Sequence, residues 1–455
     1  MLIILSDLHL TDGTTSSNVH ETAFKEILVP EIIANAKTKG PTEIRIVLLG
    51  DIFDLVRTEY WVGTVPQEER PWQGTLSSET GMNTNPKVEN HYHAVLDGIL
   101  ASNSGKAFCE VLSSIKTEVL KETHQEVFTK VTYIVGNHDR ALNVFPSLRN
   151  KITERITNVD GSEFLNVLWA PEYGVVARHG HEWDEHNHGY EFYTKVLNPN
   201  ARVDRFHKDC YKVQTIGELV TAELMGGLIY RLKRKNISRD LLSRLMDVNN
   251  IRPMTDVFLW LEWFGRNTLS RGREEREIIL KCLQESLDAV LGTALAKRWD
   301  DLINEVSILR GDLTDRLDQL RTYIKGKSFE QLEGSVKLYR FFDGIFGSSK
   351  DDYVEGAKQE WVFGLPNEIQ YVLYGHTHEA RNDCFTGTGN GSVRMYINTG
   401  TYLPLIQRAQ DDGFSSAYQM TMVFCYRGDE DKNGKNGNTP SIDIWNGIKR
   451  KDYRT

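Results

Sequence analysis

Short runs rich in Val, Ile, Leu and Tyr mark both ends of the chain: Leu2–Leu5, Ile44–Leu49, Val131–Val135, Val175–Arg178, Tyr371–Tyr374 and Met395–Asn398. Each is bounded by Gly, Asp or Asn and lacks a polar side, the pattern of strands buried on both faces. Glu21–Ala36 and Glu89–Leu100 instead repeat apolar residues at helical spacing. Strands alternating with helices predict an α/β protein. Met1–Leu5 has no basic leader and no small-residue cleavage site, so it reads as a first strand and not as a signal peptide.

Two stretches break the alternation. From Arg57 to Pro86 the chain is polar and rich in Pro, Gly and Ser, which predicts a long surface loop carrying Trp61 and Trp72. From about Asn187 to Glu360 strand signals stop, and Ile216, Leu219, Val220, Leu224, Leu228, Ile229 and Leu232 keep helical spacing. This predicts a helical insertion at 187–360, splitting a core of 1–186 and 361–455. Asp429–Asn438 reads as a polar loop. With 40% hydrophobic and 26% charged residues, the 455-residue chain is neither disordered nor collagen-like. No apolar run reaches the ~18 residues of a membrane span. Five scattered cysteines with no C-x-x-C pair point to reduced thiols and a cytoplasmic setting. A net charge of −9 argues against general polyanion binding.

Chemistry concentrates in five short motifs: Asp7-Leu8-His9, Gly50-Asp51-Ile52-Phe53-Asp54, Gly136-Asn137-His138-Asp139, His179-Gly180-His181 and Gly375-His376-Thr377-His378. Each follows a predicted strand, so each is expected on a loop at the carboxyl edge of a sheet. Carboxylates, one amide and several imidazoles would then meet, a donor set suited to two divalent transition ions with one bridging carboxylate. In Asp7-x-His9 and His376-x-His378, alternation along extended backbone predicts that both side chains of a pair point the same way. The glycines predict close approach of backbone to the site. Singly, each motif reads equally well as a turn, because Asn and Asp favour turns. Five in this order, each closing a strand, do not.

As a set these residues resemble the signature of the calcineurin-like metallophosphoesterase superfamily, over roughly residues 1–190 and 360–426. The resemblance implies a four-layer β-sandwich flanked by helices and a centre of two divalent transition ions, Mn first, with Fe, Zn, Co or Ni as alternatives. Asp7 and His9 would bind the first ion with His378, Asp51 would bridge, and Asn137, His179 and His376 would hold the second. His138 would face the phosphate or leaving group, oriented by Asp54, which also reads as a helix cap after Phe53. Tyr396–Thr401 resembles the closing strand of bacterial members. The implied chemistry is in-line hydrolysis of a phosphoester, with His138 stabilising the transition state or protonating the leaving group. Asp139 and His181 are candidates to support the ligands from behind. Glu182–His188 reads either as a third metal site or as a solvated connection into the insertion.

Within that superfamily the chain resembles the protein phosphatases least: it has Asp54-Leu55-Val56 and Asn137-His138-Asp139 where they have Asp-Arg-Gly and Asn-His-Glu. Ser6-Asp7-Leu8-His9 and Gly-Asp-Ile-Phe-Asp are similar to the bacterial UDP-2,3-diacylglucosamine hydrolase-like branch, which usually carries Arg at the place of His138 and a much shorter cap. Gly-Asn-His-Asp and Gly-His-Thr-His-Glu-Ala-Arg are similar to the double-strand-break-repair nucleases, which makes action on DNA or RNA ends an alternative. A non-catalytic scaffold is a further alternative, although every ligand position is filled. Residues 201–285 hold 16 Lys and Arg against 12 Asp and Glu. Arg231, Lys233, Arg234 and Lys235, with the run from Arg266 to Arg276, read either as a solvated helix face or as a cap attracting an anionic phosphoester substrate. The apolar stripe from Ile216 to Leu232 reads as core of that cap, or as an acyl-chain groove.

Overall fold

The computed structural model describes residues 1–268, 272–303, 313–332, 335, 337, 350–386, 393–411, 413–430 and 439–449. The predicted apolar runs are strands, and they sit at the centre of two sheets. In the first, β1 (Leu2–Leu5), β2 (Glu43–Leu49), β3 (Phe128–Ile134) and β4 (Gly161–Leu165) run parallel. Three further strands, β10 (Pro404–Arg408), β11 (Phe414–Tyr426) and β12 (Ser441–Lys449), close it, with β11 antiparallel to β1 and carrying both β10 and β12. In the second, β6 (Val175–Ala177), β7 (Tyr371–Tyr374) and β9 (Val393–Thr399) are parallel. β5 (Leu168–Ala170) and β8 (Ala380–Thr386) flank them antiparallel.

Strand alternation divides the side chains between cores. Leu2 and Ile4 of β1, Val47 and Leu49 of β2 and Ile134 of β3 pack with Val175, Ala177, Leu373 and Ile397 of the second sheet. Their neighbours Ile3, Leu5, Ile46, Leu48, Val131 and Tyr133 face the other way, into a cluster shared with helices Val29–Lys39, Lys87–Ala101 and Asn103–Thr123. Val372, Tyr374 and Tyr396 likewise meet Tyr353, Val354, Ala357 and Trp361 of the helix Lys350–Val362. Sheet therefore packs on sheet, with helices outside both, and the inner strands β1, β2, β3, β6 and β7 are buried on both faces over most of their length.

The segment from Arg57 to Pro86 differs from the loop expected of it. Trp61 and Trp72 are fully buried, stacked edge-on at 5.7 Å, with Trp61 also against Tyr92. The indole of Trp61 donates to the Leu55 carbonyl, and that of Trp72 donates to Glu223 of the insertion. The polar composition belongs to the rim of the segment, while two indoles supply its own anchor.

Among the described residues, 187–360 hold helices and no strand beyond the single bridge from Ile251 to Ile406. The apolar stripe from Ile216 to Leu232 is buried in the same cluster that backs the first sheet, so the insertion shares a core with the flanking chain. Part of the basic run from Arg266 to Arg276, and residues 431–438 of the Asp429–Asn438 loop, lie outside the described residues. No helix among the described residues is long and apolar enough to cross a membrane.

A buried ion pair locks the insertion to the third motif. Arg140, next to Asp139, donates from Nε and Nη2 to Glu218 and from Nη1 to the Lys212 carbonyl, and both charged side chains are buried. Glu218→Ala leaves an unpaired buried guanidinium, so stability should fall by about 3 kcal/mol. The shift of the urea midpoint measures this.

Candidate metal centre

All five motifs lie just past the carboxyl ends of parallel strands: β1, β2 and β3 in one sheet, β6 and β7 in the other. The chain reaches the site by a route the alternation argument missed. Asp7 (φ 52°), His9 (φ 43°), Asp51 (φ 53°), His376 (φ 69°) and His378 (φ 62°) are left-handed, a conformation L-residues adopt at a cost. The paired side chains converge because the backbone coils at both members, and not because it runs extended. Among the described non-glycine residues only His124 and Asn158 share this geometry without being candidate ligands. Close approach of backbone is real: a Cβ at Gly50 would overlap the His179 ring, and one at Gly136 would meet the Asp51 carboxylate.

Three triads bring donor atoms within 4.8 Å of one another and could hold metal ions: Asp7–His9–His378, His9–Asp54–His138 and Asp51–His179–His376. In the first, Asp7 Oδ1 lies 3.7 Å from His9 Nε2 and 3.5 Å from His378 Nε2. Asp7 Oδ2 is occupied, accepting from Ser6 Oγ and the His376 amide. Oδ1 is buried and has no hydrogen-bond partner, a cost that a cation between it and the imidazoles would remove. Donors of one ion, bound at about 2.0–2.2 Å, stand roughly 3 Å apart, close to these spacings.

Asp51 lies between the first triad and the third. Its Oδ1 accepts from the His138 amide at 2.8 Å, while Oδ2 is 3.7 Å from His9 Nε2 and 3.3 Å from His179 Nε2. His179 Nδ1 donates to the Leu49 carbonyl at 2.9 Å, which fixes the tautomer and frees Nε2 toward Asp51 and the Asn137 Oδ1, 3.2 Å away. Burial works against the Asp51 carboxylate, but His179, His138 and His9 outweigh it and hold it well below the usual range. Burial likewise opposes charge on His179, and Asp51 overrides it, pushing the imidazole up to about 10. His376 Nε2 is 3.2 Å from Asp184 Oδ2.

Asp54 is fully buried and binds two imidazoles at once, 2.7 Å from His9 Nδ1 and 2.9 Å from His138 Nδ1. These are hydrogen-bond distances, and the other nitrogen of His9 faces the first triad. Asp54 Oδ1 also accepts from the Val56 and Arg57 amides, but these lie in a bend and the next helix starts only at Tyr60, so Asp54 braces a turn and does not cap a helix. Asp139 supports from behind: it accepts from Tyr133 Oη at 2.6 Å, the Gly136 amide at 2.5 Å and the Ile52 amide at 3.1 Å, tying two motif loops together. Burial, with Asp51 nearby, pushes its carboxyl up to about 7.

The polar run after His179 is buried at both ends and solvated at Glu185 in its middle. His181, Glu182 and His188 are buried, with Glu182 held by Tyr211 Oη and the Gly180 amide and His188 by the Arg205 carbonyl. Burial keeps both His181 and His188 below their usual proton affinity. His181 packs against His179 at 5.3 Å, and none of the run joins a metal-holding triad among the described residues. Asp184 and Asn187 instead reach back to His376 and Asn137.

The triads open into a cavity of about 360 Å³, lined by Asp51, Asn137, His138, His376 and His378 on the core side. Val220, Met225, Met254, Leu313 and Tyr353 of the insertion line it opposite them. Arg231, Lys233, Arg234 and Lys235 are not part of this lining. Arg231 bonds Ser286, Lys233 pairs with Glu59 at 2.8 Å, Arg234 stacks on Tyr230, and Lys235 is exposed. The cationic residues that do line the cavity are Arg57 and Arg252. Arg57 lies three residues past the end of the second motif, which is the one sequence signal for it; nothing in the sequence distinguishes Arg252. No model of a known protein family matches the chain, and no curated protein matches it.

Two outcomes test the centre as a metal site. Mn²⁺ should raise the melting temperature of the wild-type protein, and Asp51→Asn should lose most of that rise together with bound metal in elemental analysis. Because His179 carries a proton in the metal-free chain at neutral pH, metal uptake must displace it, and the apparent affinity should fall as pH drops. Titrations at pH 6 and pH 8 check the sign.

Proposed function

We propose that the chain is a phosphoester hydrolase working with two divalent transition ions, as its resemblance to the calcineurin-like metallophosphoesterases implies. The observation that carries this reading is the place of Asp51, whose one carboxylate oxygen faces His9 of one triad and His179 of the other. Asp7, His9 and His378 would hold one ion, with Asn137, His179 and His376 holding the second. Mn fits the mixed oxygen and nitrogen donors, as do Fe, Zn, Co and Ni. Such a pair of ions supplies Lewis-acid neutralisation of phosphoryl oxygens and an acidified water. Two sheets packed face to face with helices outside them support this reading.

The rest of the chemistry belongs to the chain. His138 lines the cavity, takes no part in the Asp7 or Asp51 triads, and is held through Nδ1 by Asp54. Burial disfavours its charged form, but Asp54 and Asp51 outweigh burial and raise its proton affinity. Nε2 of His138 is thereby set to deliver a proton to a leaving oxygen, a role worth about 10²–10⁴-fold. The insertion narrows the cavity with Val220, Met225 and Met254, which limits water around the reacting group. A nuclease is the second reading; no observation favours it over a small anionic ester.

His138→Gln should keep its metal yet lose about 10²-fold or more in turnover. The loss should be smallest for nitrophenyl esters, whose leaving group needs no proton. Loss of metal in this variant would make His138 a ligand and overturn its assignment.

A further inference from the structure

Arg57 and Arg252 come from distant parts of the chain and line one wall of the cavity, next to His138 and His378. Neither has a full complement of partners. Arg57 is 6% exposed; its Nε lies 3.2 Å from Asp54 Oδ2, yet Nε and Nη1 are both buried without a hydrogen bond. Asp54 cannot balance it alone, because the same carboxylate already serves His9 and His138. Arg252 donates to three carbonyls, from Nη1 to Asn249 and Ile251 at 2.8 Å and from Nε to Thr377 at 3.4 Å. No carboxylate lies within ion-pair distance of it among the described residues. Burial and the nearness of Arg57 pull its proton affinity down to about 10, so it remains a cation at neutral pH.

Two guanidiniums lining one cavity, only one of them paired and that to a carboxylate shared with two imidazoles, repel each other. Such a pair is costly unless an anion settles between them, and planar guanidinium donors match phosphoryl oxygens. Building on the phosphoester reading, we infer that Arg57 and Arg252 form a seat for a dianionic phosphoryl group, so that the substrate is a phosphomonoester and not an internal diester. A diester offers one negative charge and buries an ester substituent where the second arginine expects an oxygen. A monoester offers two charges and three equivalent oxygens. Arg252 also holds Thr377, which lies between His376 and His378, so filling the seat and ordering that loop are linked.

The test uses the full chain loaded with Mn²⁺ at pH 8, where orthophosphate is a dianion and dimethyl phosphate a monoanion. Wild-type protein should bind orthophosphate at least tenfold more tightly than dimethyl phosphate in calorimetric titration. It should also prefer nitrophenyl phosphate over bis-nitrophenyl phosphate. Arg252→Gln should weaken orthophosphate binding and raise KM for the monoester by about tenfold, a clearly larger loss than for dimethyl phosphate or the diester, with metal content intact. Arg252→Lys keeps the charge and should recover part of the loss. Equal losses for both ester classes would make Arg252 a brace for the His376–His378 loop and nothing more. A wild type that binds the two anions alike would overturn the seat without any variant. If the loaded protein hydrolyses neither ester, the hydrolase reading fails, while the calorimetry still decides the seat on its own.

Discussion

Everything at the site depends on how the two sheets pack. Leu2, Ile4, Val47, Leu49 and Ile134 meet Val175, Ala177, Leu373 and Ile397 in one dry layer. That contact fixes the separation of the sheets near the usual ~10 Å and brings the carboxyl ends of β1, β2 and β3 opposite those of β6 and β7. Donor atoms held on five separate loops can stay near 3 Å spacing only if the strands beneath them cannot slide. Continuous apolar runs, which allow no solvent face, are the sequence's way of enforcing this. The left-handed residues then bend each chain end inward, and their strain is tolerable because the strand on one side and the helix or turn on the other leave no room to relax.

Burying so many polar groups has to be compensated, and the pattern of compensation separates ligands from supports. Asp139 and Asp54 are satisfied from all sides by amides, a phenol and imidazoles. Asp7 keeps one oxygen bare among imidazole nitrogens, and His378 Nδ1 is also buried without a partner. A satisfied buried carboxylate positions its neighbours; an unsatisfied one among neutral nitrogens asks for a cation. Without metal, an imidazolium at His179 pairs with the Asp51 carboxylate, which is why ion and proton compete for the same place.

The core of the fold and the cluster of candidate ligands were legible because both follow from strand ends. Leu2–Leu5 and Tyr371–Tyr374 appear with their predicted bounds, and β2, β3, β6 and β9 differ by a few residues at their ends. The outer strands β4, β5, β8, β10 and β12 were not legible, nor was the inner strand β11. β4 and β8 have mostly half-exposed or exposed side chains, so composition leaves little trace there. Trp61 and Trp72 were misread for the opposite reason: two anchoring indoles in a polar segment carry the packing while the average over the segment stays polar. In the Glu182–His188 run, Glu182 and His188 are buried by partners from residues 205–211 that only the fold brings near, while Glu185 stays exposed.

The same lesson decides where positive charge matters. Counting Lys and Arg along the insertion pointed to Arg231–Lys235, yet those side chains are spent on Glu59, Ser286, Tyr230 and solvent, in positions where water and salt screen them. The guanidiniums that line the cavity belong to two arginines separated by nearly two hundred residues, one beside a shared carboxylate and one hydrogen-bonded to carbonyl oxygens. A charge that is locally neutralised contributes little to an anion, however many accompany it. A partly unbalanced charge in a low-dielectric wall contributes much more, because neither water nor a counter-ion stands between it and the ligand. Composition reports the sum of charges, whereas recognition depends on the remainder left after pairing, and that remainder is a property of the folded cavity.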